Sequence, residues 1–179
     1  MGLLTVIRKQ KLKDRELRVL LLGLDNAGKS TIVKRILNQP TASLTPTMGF
    51  EITSVPFGEH NLNIWDVGGQ QTLRSFWFNY FDQLDALVWV IDASQLDRLH
   101  EVFRELYTVL QNERVHGVKL LILLNKIDLV NTSLDDLTST VIKELELDSY
   151  GPREEKWQII QCSAITGEGI HQGLEWLTS

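Results

Sequence analysis

The sequence predicts an α/β fold in which a mostly parallel six-stranded sheet carries helices on both faces. Three observations predict it. Apolar runs of strand length alternate with stretches whose apolar residues fall at helical spacing. Several of the runs are apolar almost throughout, as expected of strands covered on both faces. One pair of strands is joined closely enough for a hairpin, while helical stretches separate the others and favour parallel crossovers.

The elements follow in order. "RVLLLGL" (18–24) reads as a buried strand. "KSTIVKRIL" (29–37) reads as a helix, because Ile32, Val33, Ile36 and Leu37 share a face. Pro40 and Pro46 make 38–49 a loop. "FEITSVPF" (50–57) and "NLNIWD" (61–66) form two strands joined through Gly58. "DALVWVID" (85–92) and "VKLLILLNK" (118–126) are further buried strands, and helical patterns occupy 95–112 and 134–147. "KWQIIQC" (156–162) is the last strand, and 168–177 a closing helix. Trp89 and Trp157, on strands, are expected in the core; Trp77 and Phe78 cannot be divided between core and surface.

Composition narrows the function classes. A chain of 179 residues suits one domain whose core needs no staple. Cys162 is the only cysteine, so it forms no intramolecular disulfide and is expected to be a small buried hydrophobe in a reducing compartment. The net charge is −5, but residues 1–18 carry +4 through Arg8, Lys9, Lys11, Lys13, Arg15 and Arg18. The remaining body is acidic, which argues against a nucleic-acid surface. No apolar run reaches the roughly 18 residues of a membrane span, and a leader core and a prenylation box are absent. Weak contact of the basic head with an anionic membrane or a partner stays open.

The first strand runs into "GLDNAGKS" (23–30), a G-x-x-x-x-G-K-[ST] loop followed at once by a helix. Gly23 and Gly28 let the backbone curl into an anion nest, and the helix points its positive end at the same spot. Lys29 adds a cation for phosphates, and Ser30 offers a hydroxyl to Mg²⁺. Phosphate contacts are assigned to Gly23, Asp25, Asn26, Ala27, Gly28, Lys29, Ser30 and Thr31.

The base is read from "NKID" (125–128) after a buried strand. The Asp128 carboxylate accepts two N–H bonds from the N1 and N2 edge of guanine, and adenine would leave it unpaired. Asn125 ties the loop to neighbouring backbone, and the stem of Lys126 flanks the base. In "CSA" (162–164), Ser163 shapes the turn and the N–H of Ala164 is expected to donate to guanine O6.

"WDVGGQ" (65–70) supplies the terminal-phosphate side. Asp66 is expected to reach the metal directly or through water. Gly69 allows close backbone approach, with its N–H on the phosphate, and Gln70 orients the attacking water. Thr47 is the matching latch, giving Mg²⁺ a hydroxyl and the phosphate an N–H; Thr45 competes, and Thr47 is preferred as nearer the next strand. Loss of the terminal phosphate releases both segments.

"GLDNAGKST", "PTMGF", "WDVGGQ" and "NYF" resemble the Arf-like family of small GTPases, over nearly the whole chain. That resemblance implies a P-loop fold, a GTP/GDP switch needing Mg²⁺, and slow hydrolysis stimulated by an activating protein's arginine. "LNIWDVGGQQTLRSFWFNYF" resembles the subfamily linked to tubulin folding cofactors and microtubules, which also engages lipid-carrier proteins. It implies a cytoplasmic, partly cytoskeleton-associated monomer. Phe50, Trp65 and Tyr80 match the family's exposed aromatic triad for effectors, and Trp65 shares the polar face of its strand with Asn61 and Asn63. Residues 1–16 form a basic amphipathic segment and 17–179 the GTP-binding domain. Leu3, Leu4, Val6 and Ile7 give the segment an apolar side. Val6 stands where an acylation motif wants Ser or Thr, so Gly2 is expected to carry no acyl chain.

Three readings compete with the tubulin-linked switch. An Arf-type membrane-trafficking GTPase has the same motifs. A nucleotide-locked effector module with negligible turnover looks alike in sequence. A P-loop kinase needs an acceptor site and a lid for which the chain has little room, and "NKID" argues against it.

Overall fold

The computed structural model describes residues 2, 3, 5, 6, 15–41 and 49–179. Its elements are β1 (Glu16–Gly23), α1 (Lys29–Ile36), β2 (Phe50–Phe57), β3 (His60–Val67), a 3-10 helix (Gln71–Tyr80), β4 (Ala86–Asp92), α2 (Leu99–Leu110), β5 (Lys119–Asn125), α3 (Leu134–Glu144), β6 (Trp157–Gln161) and α4 (Ile170–Thr178). One sheet takes the order β2-β3-β1-β4-β5-β6. The β2–β3 pair is antiparallel, and the other pairs are parallel.

Strand alternation divides the core. Leu20, Leu22 and Leu24 face Leu99, Val102, Leu106 and Val109 of α2 and Val141 of α3. Val19 and Leu21 point the other way, onto Ile32 and Val33 of α1 and Ile170 and Leu177 of α4. The sheet is therefore covered on both faces, which explains why its central strands read as unbroken apolar runs. Leu20 and Leu22 are fully buried, and truncating either to alanine should cost about 2–5 kcal/mol.

Trp89 and Trp157 are fully buried, as expected. Trp77 is buried as well, edge-on to Trp89 at 5.5 Å between ring centres, while Phe78 is exposed. Cys162 is buried, and that burial pushes its thiol up to about 12.

The structure departs from the sequence reading at element ends. The helix expected over 95–112 begins only at Leu99, after a 3-10 turn at Leu96–Arg98. Asp92 Oδ1 accepts from both the N–H and the hydroxyl of Ser94, which holds the chain in a turn and delays the helix. The helix expected to reach 147 stops at Glu144, because Glu146 takes a left-handed conformation. The 3-10 run Gln71–Tyr80 was not expected; its apolar residues do not line one face at either regular period.

At the N-terminus, Thr5 and Val6 donate to Gly2 O in a helical turn, with Leu3 and Val6 exposed. Leu4, Ile7, Arg8, Lys9, Lys11 and Lys13 lie outside the described residues. Among the described residues, no helix is long and apolar enough to cross a membrane.

Candidate functional site

The parallel strands deliver their carboxyl ends to one side of the sheet, where a doubly wound fold places its crevice. Gly23 ends β1, Asp92 ends β4, Asn125 ends β5, and Asp66 is the penultimate residue of β3. The loop after β1 and the first turn of α1 close this end.

Gly28 adopts a left-handed conformation, and a side chain there would run into the Asn125 amide. Only glycine fits the position. Lys29 is buried and donates to Gly23 O at 3.1 Å and Leu24 O at 3.0 Å. Burial lowers its pKa to about 8, against the opposing pull of Asp66 and Asp25. Thr31 sits beside Ser30 in the first turn of α1 and is half-buried.

Ser30 Oγ donates to Asp66 Oδ2 at 2.6 Å. Among the described residues, the other oxygen, Asp66 Oδ1, is buried without a hydrogen-bond partner. Burial pushes the Asp66 carboxyl up, although the Ser30 hydroxyl and the Lys29 charge pull it down. Both shifts share one cause, burial. A magnesium ion with its waters fits this donor set, since it would give Asp66 Oδ1 a partner and Ser30 a metal to ligate. Among the described residues no cluster of three or more His, Cys, Asp or Glu could hold a metal. Ser30 and Asp66 would give such an ion two oxygen donors, and magnesium ordinarily takes its remaining ligands from water and phosphate.

Gly69 packs directly against the phosphate loop. A Cβ on it would lie 2.5 Å from Gly23 O and 2.6 Å from both Leu24 C and Lys29 Nζ. Its carbonyl accepts from Asp25 N at 3.1 Å. Gly68 is held from two sides: its N–H donates to Gly49 O at 2.8 Å, and its carbonyl accepts from Trp77 Nε1 at 2.9 Å. Gln70 follows as a half-buried, extended residue capping the 3-10 helix. Thr47 and Thr45 lie outside the described residues.

The other side is built on Asn125, which is buried. Its amide donates to Ala27 O at 2.9 Å, tying two loops together as expected. Ser163 Oγ donates to Asp128 Oδ1 at 2.7 Å and accepts from Thr166 N at 3.1 Å, so the exposed carboxylate is aimed by a buried serine. Lys126 reaches back to Asn26 O at 2.7 Å and pairs with Asp92 at 3.1 Å, stretching its stem from one loop to the other. One detail differs from expectation: the Ala164 N–H donates to Asn125 Oδ1 at 3.1 Å rather than pointing free. The side chain that braces the loop is also the nearest acceptor for that donor.

Phe50, Trp65 and Tyr80 come together on the surface, with ring centres 5.2–6.1 Å apart. Phe50 is exposed, but Trp65 and Tyr80 are half-buried. The Arg18 guanidinium stacks over Trp65 at 4.1 Å, which explains how a large ring sits on a polar strand face. Ile52 of β2 and Phe76 and Phe78 of the 3-10 helix are also exposed.

Sequence reasoning missed an arginine pair at the phosphate loop. Asp25 Oδ1 accepts from Arg98 Nη2 at 2.9 Å and Arg74 Nη2 at 3.0 Å, and Asp25 O accepts from Arg98 Nη1 at 3.0 Å. Burial raises the Asp25 carboxyl, but the bond and charge of Arg98, with Arg74 behind, bring it below the usual range. Arg74 is itself buried, the one charged residue of Gln71–Tyr80, and that isolated cation is the only local signal. Its partners are too distant in sequence for spacing to reveal them.

A family model described as the ADP-ribosylation factor family matches residues 3–179. The chain is 48% identical over 177 residues to an ADP-ribosylation factor-like protein 2 of Arabidopsis thaliana, covering 99% of this chain and 94% of that one. It is 47% identical over 178 residues to an ADP-ribosylation factor-like protein 3 of Chlamydomonas reinhardtii, covering 99% and 97% respectively. Among solved structures, the Arl6 BBS3 small GTPase of Trypanosoma brucei with bound nucleotide analogue GppNp matches with a TM-score of 0.75. Identity is 27%, over 90% of this chain and 95% of that one.

Proposed function

The chain belongs to the ADP-ribosylation factor family, and from that premise we propose that it is a GTP/GDP switch with slow intrinsic hydrolysis, acting on tubulin folding cofactors and microtubule formation. One observation carries the switch reading: Lys29, Ser30, Asp66 and Gly69 meet at the loop that Asn125 braces, with Asp128 aimed from the neighbouring turn. In this reading, phosphate-binding and base-reading chemistry share one crevice.

In this reading Gly23, Asp25, Asn26, Ala27, Gly28, Lys29, Ser30 and Thr31 hold the phosphates. Ser30, Thr47 and Asp66 hold Mg²⁺, which neutralises charge on the β and γ oxygens when bound. Asp128 selects guanine, and Ser163 keeps its carboxylate in place. Ala164 donates to the base by sharing its N–H away from Asn125. Gln70 orients water for in-line attack, and Gly69 senses the terminal phosphate. An activating protein supplies the arginine, since Arg74 and Arg98 are both engaged by Asp25.

Effectors engage Phe50, Trp65 and Tyr80 in the GTP state. The tubulin link and the lipid-carrier partners rest on resemblance of the "WDVGGQQTLRSFWFNYF" stretch to that subfamily. The basic N-terminal segment, residues 1–16, makes at most weak membrane contact, and the protein works as a cytoplasmic monomer.

Chromatography of the nucleotide released from purified protein tests the reading. Guanine nucleotide is expected; adenine nucleotide, or none after loading with GTP, overturns it. The finer part is tested by capture of tubulin folding cofactors on protein loaded with GTPγS or GDP. Equal or absent capture in both states sinks the tubulin role.

A further inference from the structure

Asp25 places a carboxylate inside a loop built to receive polyphosphate. That is electrostatically adverse, because a free carboxylate there repels the phosphate charge. The structure shows how the repulsion is met. Arg98 grips the residue twice, at its carbonyl and its carboxylate, and Arg74 takes the same carboxylate oxygen. Neither arginine is left to swing. Arg98 is fixed by Glu101 at 3.2 Å. Arg74 is fixed by Glu101 at 2.7 Å, by Glu105 at 3.4 Å and by the Gly69 carbonyl at 2.9 Å. The hydrogen bonds to Asp25 and Glu101 raise the Arg98 pKa, so its charge is secure.

This assembly joins the phosphate loop, the Gly69 turn, the 3-10 helix and α2 through Asp25, the two arginines and Glu101. Resting on the switch reading above, we propose that Arg98 and Arg74 are positioning residues that hold the Asp25 carboxylate off the terminal phosphate and so set the preference for GTP over GDP. GDP lacks the group the carboxylate would repel. Loss of the clamp therefore penalises GTP selectively.

Arg98 is the residue to change, because Arg74 is buried and its loss would leave Glu105 without its ion pair. The experiment measures GTPγS and GDP affinities by fluorescent-nucleotide displacement for wild type, Arg98→Ala, Asp25→Asn and the double variant. Arg98→Ala should lower the GTPγS-to-GDP affinity ratio roughly fivefold. In the D25N background the same change should move the ratio by less than about twofold, since no carboxylate is left to hold.

A merely structural arginine would weaken both nucleotides together, and that result overturns the proposal. An equal drop in the ratio in both backgrounds also overturns it, because the arginine would then act on the phosphate directly. If Arg98→Ala proves too unstable, Arg98→Lys keeps the charge but not the double grip, and should show a smaller fall of the same kind; an unchanged ratio in Arg98→Lys overturns the clamp. Failure of the wild type to bind either nucleotide would overturn the switch reading itself, a result distinct from any change in the ratio.

Discussion

The Ser30 hydroxyl donates to Asp66 Oδ2 at 2.6 Å, linking the first turn of α1 to the end of β3 across 36 positions of sequence. The bond occupies one carboxylate oxygen and leaves the buried Oδ1 without a hydrogen-bond partner among the described residues. Such a group is costly unless something else satisfies it. A magnesium ion held by Ser30 and Asp66 would do so. Ser30→Ala should therefore uncouple nucleotide retention from magnesium. In wild type, EDTA should speed GDP release by more than roughly tenfold; in Ser30→Ala, release should already be fast and EDTA should change it little. An undiminished EDTA effect in the variant would remove Ser30 from the metal site.

Lys29 makes the site pH-dependent. Burial lowers its pKa to about 8 in the structure, against about 10.4 for an exposed lysine. Between those values the unfolded chain binds the proton and the nucleotide-free fold does not, so raising pH across that window stabilises the empty fold. Nucleotide binding shows the opposite sign. Phosphates favour the charged amine, so above pH 8 binding must take up a proton and affinity should fall by up to roughly tenfold per pH unit. Titrations from pH 7 to 9.5 check this, with Lys29→Met as the reference that should lose the slope.

Much of this site was legible because its chemistry is local. "GLDNAGKS" and "NKID" carry their geometry in short spacings, and β2 falls at the expected 50–57. Features that depend on distant partners were not legible. Nothing near Asp25 in sequence shows that Arg74 and Arg98 converge on it, 49 and 73 positions away. The 3-10 run at Gln71–Tyr80 was also missed, because it is set by Trp77 docking onto Trp89 and Gly68 rather than by a periodic face. Asp92 ends β4 and bonds to Ser94, but the turn they form, which shortens the next helix, is a side-chain effect that periodicity does not register.

Asp128 should set the base. Ser163 holds one of its oxygens at 2.7 Å, which leaves the rest of the exposed carboxylate for a pair of donors. Asp128→Asn replaces one acceptor by a donor. Guanine, with N1–H and a 2-amino group, then meets a donor facing a donor, and its affinity should fall by about 2–3 kcal/mol. Xanthine carries a carbonyl at that position and should gain. Competition of GDP against xanthosine diphosphate checks the swap; guanine preference retained in the variant would show that Asp128 does not read the base.

Gln70 tests the hydrolytic step separately from binding. It follows Gly69, whose backbone lies against the phosphate loop closely enough that an added Cβ would meet Lys29 Nζ at 2.6 Å. In the switch reading, the side chain after that glycine lies at the edge of the pocket for the terminal phosphate. Leucine at this position keeps similar bulk but cannot hold water by hydrogen bonds. Gln70→Leu should bind GTP within about threefold of wild type while losing at least roughly 10²-fold of activator-stimulated turnover. Single-turnover hydrolysis, with and without an activating protein, separates the two effects. A fall in GTP affinity matching the fall in rate would mean that Gln70 supports the fold of the pocket. Stimulated turnover that survives the change would place the orienting group elsewhere.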